Sequence, residues 1–403
     1  MNAGRLNPNG NEMRELATER PPRCHYGSLE QTIRSIRAHR PVDLNAERWR
    51  QSHPAGDFET WRREAHRCLH DGMYYDPGPL DLSTEIHETT ERDGLVVETV
   101  AFSTTPWIRV NGYFLRPAHA REPLPGLVVF HAWGGPMLFG RERIVNARRD
   151  HPVLAEHRDT YYSGRYLAEE LARAGYAVVV IDAHHFGDRA PRDLNGIPAT
   201  YDPFDLSGDE YQKVEELVRA QLYLGVRQLG WAGTTWAGIN YHDDSRCVDY
   251  LISRPEVDPN RIGCTGLSGG GWRTNFLAAL DRRVKASVSV GWMTTGDYQQ
   301  AYNVEGCIGT FCLLPGVWDR LDVPDLTIMS APNASMVVST QHDDLFPPEG
   351  QLDAARQIQL GFEWAGCPAR FNHYYPPKPH CYDAEIQAEA IAWLDRHLKK
   401  DGE

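Results

Sequence analysis

Gly263-Cys264-Thr265-Gly266-Leu267-Ser268-Gly269-Gly270-Gly271-Trp272 decides how this sequence is read. One serine stands among five glycines, after the short apolar run RIGCTG (261–266) and before the helical pattern WRTNFLAAL (272–280). Glycine weakens strands and helices alike, so such a cluster needs a reason. A very tight turn is one reason, and a close approach to the backbone is another. A reactive serine at a strand-to-helix corner satisfies both. In the pattern G-x-S-x-G, here Gly266 to Gly270, the serine occupies a strained turn and the glycines leave room for crowded backbone. The following helix aims its free N–H groups and the positive end of its dipole at the reacting carbonyl. The competing reading is a glycine-rich turn with a bystander serine.

Partners decide between the two. A serine hydroxyl is a poor nucleophile until a base takes its proton, and that base is usually a histidine oriented by a carboxylate. In this sheet order the acid and then the histidine follow the serine in the chain. His380 lies in YYPPKPHCYD (374–383), in a loop placed to reach Ser268, although a surface loop is the commoner home of a histidine. His373 is the rival, but it sits inside a strand pattern that turns it into packing or solvent. The acid candidates are Asp343 and Asp344 in STQHDDLFPP (339–348), and Asp297 further upstream. Adjacent residues project differently, so only one of the pair can face His380. Each also reads as a cap or turn residue. The oxyanion donors are expected from the Gly269 N–H and from the loop HAWGGP (131–136), where Trp133 is the choice and Gly134-Gly135 also reads as a turn.

The surrounding pattern is α/β. LVVETVAFST (95–104) and PWIRVNGYFLRP (106–117) read as an antiparallel pair. Further strands are expected around 126–134, 176–183, 261–266, 285–292, 334–340 and 371–376. Helical patterns fall between them near 162–174, 209–229, 237–253, 272–280, 350–364 and 383–399. In the last of these, Ile386, Ala390, Trp393, Leu394 and Leu398 share one face. Apolar strands alternating with helices imply a mostly parallel, eight-stranded sheet covered on both faces. Residues 1–90 read as a polar arm and a helical extension, with helices at 27–38 and 57–71. Residues 91–403 read as the catalytic domain, with insertions near 190–241 and 292–325.

Composition narrows the function. With 403 residues and 41% hydrophobic content, the chain can bury a large core. A net charge of -13 argues against nucleic acid and gives no basic footprint for a membrane surface. No run approaches the roughly 20 apolar residues of a membrane span, and MNAGRLNPNGNEMREL has no apolar stretch of leader length. The eight cysteines show neither CxxC nor zinc-ligand spacing, so reduced thiols in a cytoplasmic protein are expected, with a local Cys307–Cys312 pair the disfavoured alternative.

Taken together, the chain resembles the α/β-hydrolase superfamily. Within it, the chain resembles the bacterial branch of dienelactone-hydrolase-like and acetyl xylan esterase or cephalosporin deacetylase-like enzymes. The resemblance runs over about residues 90–399 and rests on HAWGG, DAHHFGDR (182–189), DDSRCVDYLISRPEVDPNRIGCTGLSGGG (243–271), LDRRVKASVSV (280–290), DDLFP (343–347) and PHCYD (379–383). It implies Ser268 as nucleophile, His380 as base and Asp343 as orienting acid, because relatives carry D-x-x-x-P there and Pro347 sets the register. Two departures stand out. Relatives have His-Gly where this chain has His131-Ala132, and a glycine before the acid where this chain has STQ. His184 and His185 near Asp182 and Asp188 raise the thought of a metal, but the resemblance implies a buttressing turn with no metal and no cofactor. Arg189 there is expected to bind substrate or pair with a carboxylate.

The expected activity is a serine ester hydrolase acting on a small-molecule ester of short acyl chain, a carbohydrate-linked acetyl ester among the candidates. Lactone, amide or C–C hydrolysis, and an inactive binding protein, stay open. Trp231, Trp236, Tyr241, Trp292, Tyr298 and Trp318 in the insertions are expected to shape the pocket, or else to pack together or against a second subunit of a homo-oligomer.

Overall fold

The computed structural model describes residues 43–400 apart from 55, 79, 303–308, 310 and 311, together with 32, 35 and 36. The expected arm at 1–25, most of the expected helix at 27–38, Cys24 and Cys307 lie outside the described residues. Two helices come first, α1 (Ala46–Ser52) and α2 (Phe58–Gly72), followed by three strands, β1 (Glu85–Arg92), β2 (Leu95–Ser103) and β3 (Arg109–Pro117). Alternation then sets in with β4 (Leu124–Phe130), α3 (Pro152–Tyr162), α4 (Leu167–Arg173), β5 (Ala177–Ile181), α5 (Gly208–Trp231) and α6 (Trp236–Ser253). It continues through β6 (Val257–Leu267), α7 (Gly269–Leu280), β7 (Val284–Val290), α8 (Gly296–Tyr302) and α9 (Val323–Met329). The last elements are β8 (Ala334–Val338), α10 (Pro348–Trp364), β9 (Phe371–Tyr374) and α11 (Ala384–Leu398).

The strands form one sheet in the order β1-β2-β3-β5-β4-β6-β7-β8-β9. The pairs from β1 to β5 through β3 are antiparallel, and the rest of the sheet is parallel. All eight expected strands are present. The ninth, β1, is EIHETTER, an edge strand exposed along most of its length. It carries no apolar alternation because it has no core to face, and charge on an edge discourages pairing with other chains.

Period-two alternation sorts the central strands onto two cores. Val178 and Val180 pack with Leu171 of α4 and with Trp393 and Leu394 of α11. Ala177, Val179 and Ile181 face Val248 and Leu251 of α6 and Leu277 of α7. Burial on both faces is why these strands read as continuous apolar runs. The five α11 residues expected on one face are all in the first of these cores. One expectation is corrected. The helix expected near 162–174 begins only at Leu167, as α4, because Ser163 (φ 56°) and Gly164 (φ 72°) take left-handed backbone and end the preceding helix α3 at Tyr162.

A third core gathers Trp133 and Met137 of the loop after β4, Phe276 of α7, Val337 of β8 and Ile358 of α10, and the N-terminal helices belong to it. Trp49, Trp61 and Leu69 are buried there with Trp133, Trp272 and Trp292. Trp61 is fully buried, and its indole N–H donates to the Leu44 carbonyl at 2.6 Å. Replacing such a side chain leaves a large cavity. Trp61→Ala is expected to lower the unfolding free energy by about 3–5 kcal/mol, measured by urea titration. A main transition left in place would show that α1 and α2 do not share the cooperative unit.

Candidate active site

Ser268 stands at the corner between β6 and α7. Its backbone is at φ 57° and ψ -119°, a region non-glycine residues rarely occupy and one that costs about 1–3 kcal/mol. Two hydrogen bonds hold it there: Ser268 N–H to the Val290 carbonyl (2.8 Å) and Trp272 N–H to the Ser268 carbonyl (2.9 Å). The neighbouring glycines are needed for space. A Cβ on Gly266 would stand 2.7 Å from the Phe130 carbonyl oxygen, and one on Gly270 would stand 2.5 Å from it. A Cβ on Gly271 would meet the Val290 carbonyl oxygen at 2.7 Å, and one on Gly269 would enter the Trp133 ring at 2.1 Å. The cluster therefore lets α7 start directly against the ends of β4 and β7.

The loops after β8 and β9 are zipped together. Ser339 N–H donates to the Tyr374 carbonyl (3.1 Å), Gln341 N–H to Pro376 (3.0 Å) and His342 N–H to Lys378 (3.0 Å). This continuation of the parallel ladder delivers Asp343 to His380, whose Nδ1 is 2.7 Å from Asp343 Oδ2. The other carboxylate oxygen accepts from Leu345 N–H at 2.9 Å. The Asp343 side chain is 1% exposed and that of His380 15%. Asp344 is exposed, and so is Asp297 in the first turn of α8. His373 is half-buried within β9, and burial pushes its imidazole down to about 4. Gly291, at φ 64° after β7, leaves room for His380, since a Cβ there would stand 2.8 Å from the imidazole Cε1.

Ser268 and His380 line one cavity of about 430 Å³. Trp133, Leu222, Leu267, Trp292, Leu345 and Phe346 give it largely apolar walls. Of the six aromatics expected to shape it, Trp292 does so. Trp236 is 2% exposed and packs edge-on against Trp133 at 5.0 Å, while Trp231 is 94% exposed at the end of α5.

The loop carrying Trp133 is fixed by a residue the sequence reading missed. Arg143 is fully buried and donates to the carbonyls of Ala132 (2.6 Å), Gly134 (2.7 Å), Phe139 (2.8 Å) and Pro136. Burial lowers its guanidinium only to about 10, so it stays charged at neutral pH. Glu215 of α5 accepts from the N–H groups of Met137 (2.8 Å) and Leu138 (3.1 Å). His131 is a strut: its Nδ1–H donates to the Ala132 carbonyl (2.8 Å), and its Nε2 accepts from Ala183 N–H (3.0 Å). Burial and the nearby Arg143 and Arg273 keep it neutral.

DAHHFGDR is spent on structure in the same way. Asp182 accepts from the N–H groups of Arg141 (2.6 Å) and Asp188 (3.0 Å) and pairs with the Arg141 guanidinium. Arg141 also pairs with Asp188 at 2.6 Å. Arg189 pairs with Asp243 at 2.6 Å and donates to the Asp182 carbonyl at 3.0 Å. His184 lies 3.1 Å from the same Asp243 carboxylate, and burial with Arg189 pushes its imidazole down to about 4.

The fold is shared with known proteins. The prolyl oligopeptidase family, Peptidase_S9, matches residues 230–401. Among solved structures, a Bacteroides fragilis protein titled a "putative acetyl xylan esterase" superposes with a TM-score of 0.63 at 14% identity, covering 92% of this chain and 84% of that one. The chain has the α/β-hydrolase fold. A glucuronoyl esterase from Solibacter usitatus superposes with a TM-score of 0.58 at 15% identity, covering 87% of this chain and 93% of that one. Bacillus subtilis "Putative hydrolase YtaP" is 23% identical over 324 residues, which is 80% of this chain and 95% of YtaP. No described helix is long and apolar enough to cross a membrane.

The four-carbonyl fork of Arg143 makes a separate demand. A lysine keeps the charge but has a single ammonium in place of a planar fork. Each buried carbonyl left unpaired costs about 1–3 kcal/mol. Arg143→Lys is therefore expected to lose at least about 2 kcal/mol of stability by urea titration, and an unchanged midpoint would show that the loop holds itself.

Proposed function

We propose that the protein is a serine hydrolase of small-molecule esters with short acyl groups, working through an acyl-enzyme. One observation carries the reading: a backbone-strained serine shares a cavity with a histidine that is bonded to a buried aspartate. In this reading His380 takes the Ser268 hydroxyl proton as the oxygen attacks the ester carbonyl. The N–H groups of Gly269 and Trp133 receive the negative charge that develops on the carbonyl oxygen. His380 then returns the proton to the departing alkoxide. A water, deprotonated by His380, attacks the acyl-enzyme and frees Ser268. Asp343 holds the imidazole in the tautomer with Nδ1 protonated, leaving Nε2 as the base. The chemistry asks for no cofactor. Free thiols at Cys68, Cys247, Cys264, Cys367 and Cys381 fit a reducing, cytoplasmic setting.

The cavity supports a small substrate, since about 430 Å³ with apolar walls suits a short acyl group better than a long lipid chain. A second reading, amide hydrolysis on the same residues, is favoured by the prolyl oligopeptidase match over 230–401. Turnover of peptide anilides faster than of esters would move the assignment there.

A nitrophenyl ester series of two to sixteen carbons tests the proposal. Rates are expected to peak at two to four carbons, and Ser268→Ala should lower them by about three orders of magnitude or more. A peak at ten carbons or beyond overturns the short-acyl reading, and activity retained by Ser268→Ala makes the serine a bystander. The acid has its own test. Asp343→Asn should cost at least about a hundredfold in kcat, while Asp344→Asn and Asp297→Asn stay within a few-fold of the parent. A larger loss at either of those two positions would move the acid.

A further inference from the structure

His380 starts far from the serine it serves. Ser268 follows the end of β6, whereas His380 follows β9, three places along the sheet in the order β6-β7-β8-β9. The bond to Asp343 fastens the histidine loop to the loop after β8 and goes no further. One residue carries the tie across the remaining distance. Tyr382, two residues after His380, is fully buried, and its hydroxyl lies 3.0 Å from that of Thr265, in β6 three residues before Ser268. The Thr265 hydroxyl donates to the Val288 carbonyl of β7 at 2.8 Å, so the phenol is the donor in the pair. The backbone of Tyr382 is committed as well. Its N–H donates to the Tyr161 carbonyl at 2.8 Å, and its carbonyl accepts from the Gln387 side-chain amide at 2.7 Å. Tyr161 lies in the last turn of α3, where helix carbonyls have no partner of their own. The loop is thus docked on a helix end at one side and on the serine's own strand at the other.

We propose that Tyr382, through Thr265, is a positioning residue that sets the reach of His380 to Ser268. This rests on the reading of Ser268 as nucleophile and His380 as base. The two ties on the loop divide the task. Asp343 fixes which way the imidazole faces and which nitrogen carries the proton, and Tyr382 fixes how close the loop stands to the β6 corner. Proton transfer needs the base within hydrogen-bond reach of the hydroxyl, and a small misplacement of reacting groups costs rate out of proportion to its size. Tyr382 and Thr265 are fully buried and do not line the cavity, so their effect reaches substrate only through His380 and falls on kcat, not KM.

Tyr382→Phe removes one hydroxyl and keeps the ring. It is expected to lower kcat on nitrophenyl acetate by at least about tenfold, with KM within about twofold of the wild type. Thr265→Val should do the same. The double variant should be no slower than the slower single one, since one bond can be broken only once. Thr265→Ser returns the hydroxyl and should recover most of the rate lost in Thr265→Val. Rates are taken per active site, counted by complete labelling of Ser268 with a fluorophosphonate. The speed of that labelling should fall in step with kcat, because it draws on the same base.

A kcat per site unchanged in Tyr382→Phe overturns the proposal and leaves the hydroxyl pair to folding alone, whatever urea titration shows of stability. A raised KM with kcat intact, or losses that multiply in the double variant, also overturns it. If Tyr382→Phe does not fold, an unchanged kcat per site in Thr265→Val overturns it. In each of these cases a labelled, active wild type keeps the serine-hydrolase reading in place. A wild type that is unlabelled and hydrolyses neither esters nor peptide anilides overturns that reading, and this proposal with it.

Discussion

The Phe130 carbonyl oxygen stands 2.7 Å from where a Cβ of Gly266 would be and 2.5 Å from where a Cβ of Gly270 would be. That close approach is the constraint on which the site depends. β4 and β6 are neighbours in the parallel sheet, with Phe130 level with Gly266, and α7 begins two residues beyond the end of β6 at Leu267. A side chain at either glycine would push the helix away from the strand ends. The turn into the helix would then widen, and Ser268 would no longer be forced to φ 57°. The strain sits on the serine and not on a glycine. The four glycines around it provide room, and the serine takes the one backbone conformation in the turn that a side chain rarely accepts.

Charge buried around that corner is arranged to hold loops. Arg143 meets four carbonyls, and Arg141 meets the carboxylates of Asp182 and Asp188. Glu215 meets backbone N–H groups of the same loop from the other side. A loop with no regular ladder must satisfy its polar backbone somehow when buried, and these side chains replace the missing strand partners. The histidines are used differently. Burial and neighbouring guanidinium groups keep His131, His157 and His184 neutral. His380 has a carboxylate neighbour, Asp343. His184 has one too, Asp243, but shares it with the Arg189 guanidinium.

Much of this was legible in the sequence because it is carried by local pattern. Eight strands announce themselves as apolar runs, and the corner serine is marked by the glycines around it. What was hidden follows a physical rule. β1 is polar along its length because an edge strand has no core to alternate against. α9, VPDLTIM, is a single buried helix of seven residues, too short and too uniformly apolar to show a 3.6-residue period. The residues read alone left Asp343 and Asp344 open, and the D-x-x-x-P register of the resemblance is what implied Asp343. Its pairing with His380 depends on a loop-to-loop ladder between residues 339–342 and 374–378 that exists only once β8 and β9 have paired. Arg143 read as one basic residue in RERIVNARRD (141–150) because its four acceptors are carbonyls, which leave no trace in a side-chain pattern.

The N-terminal helices connect to this same ladder. Asp325 of α9 accepts from the N–H of Asp322, the residue that caps the helix, and also from Ala46 N–H at 2.9 Å, which fastens the start of α1 to α9. Glu47 of α1 pairs with Arg356 of α10 at 2.8 Å. α10 in turn begins directly after Pro347, four residues past Asp343, and its first turn is wedged by Gly350 against Thr294 and Tyr298. A Cβ at Gly350 would stand 2.3 Å from the Thr294 hydroxyl, so this junction has no slack. The loop holding Asp343 is thus closed at one end by the β8–β9 ladder and at the other by a helix that α1 braces. Long loops lose order easily, and a carboxylate kept 1% exposed needs a loop that does not open. The helices that precede the sheet in sequence therefore act on the same loop as the strand pairing does, from the opposite side.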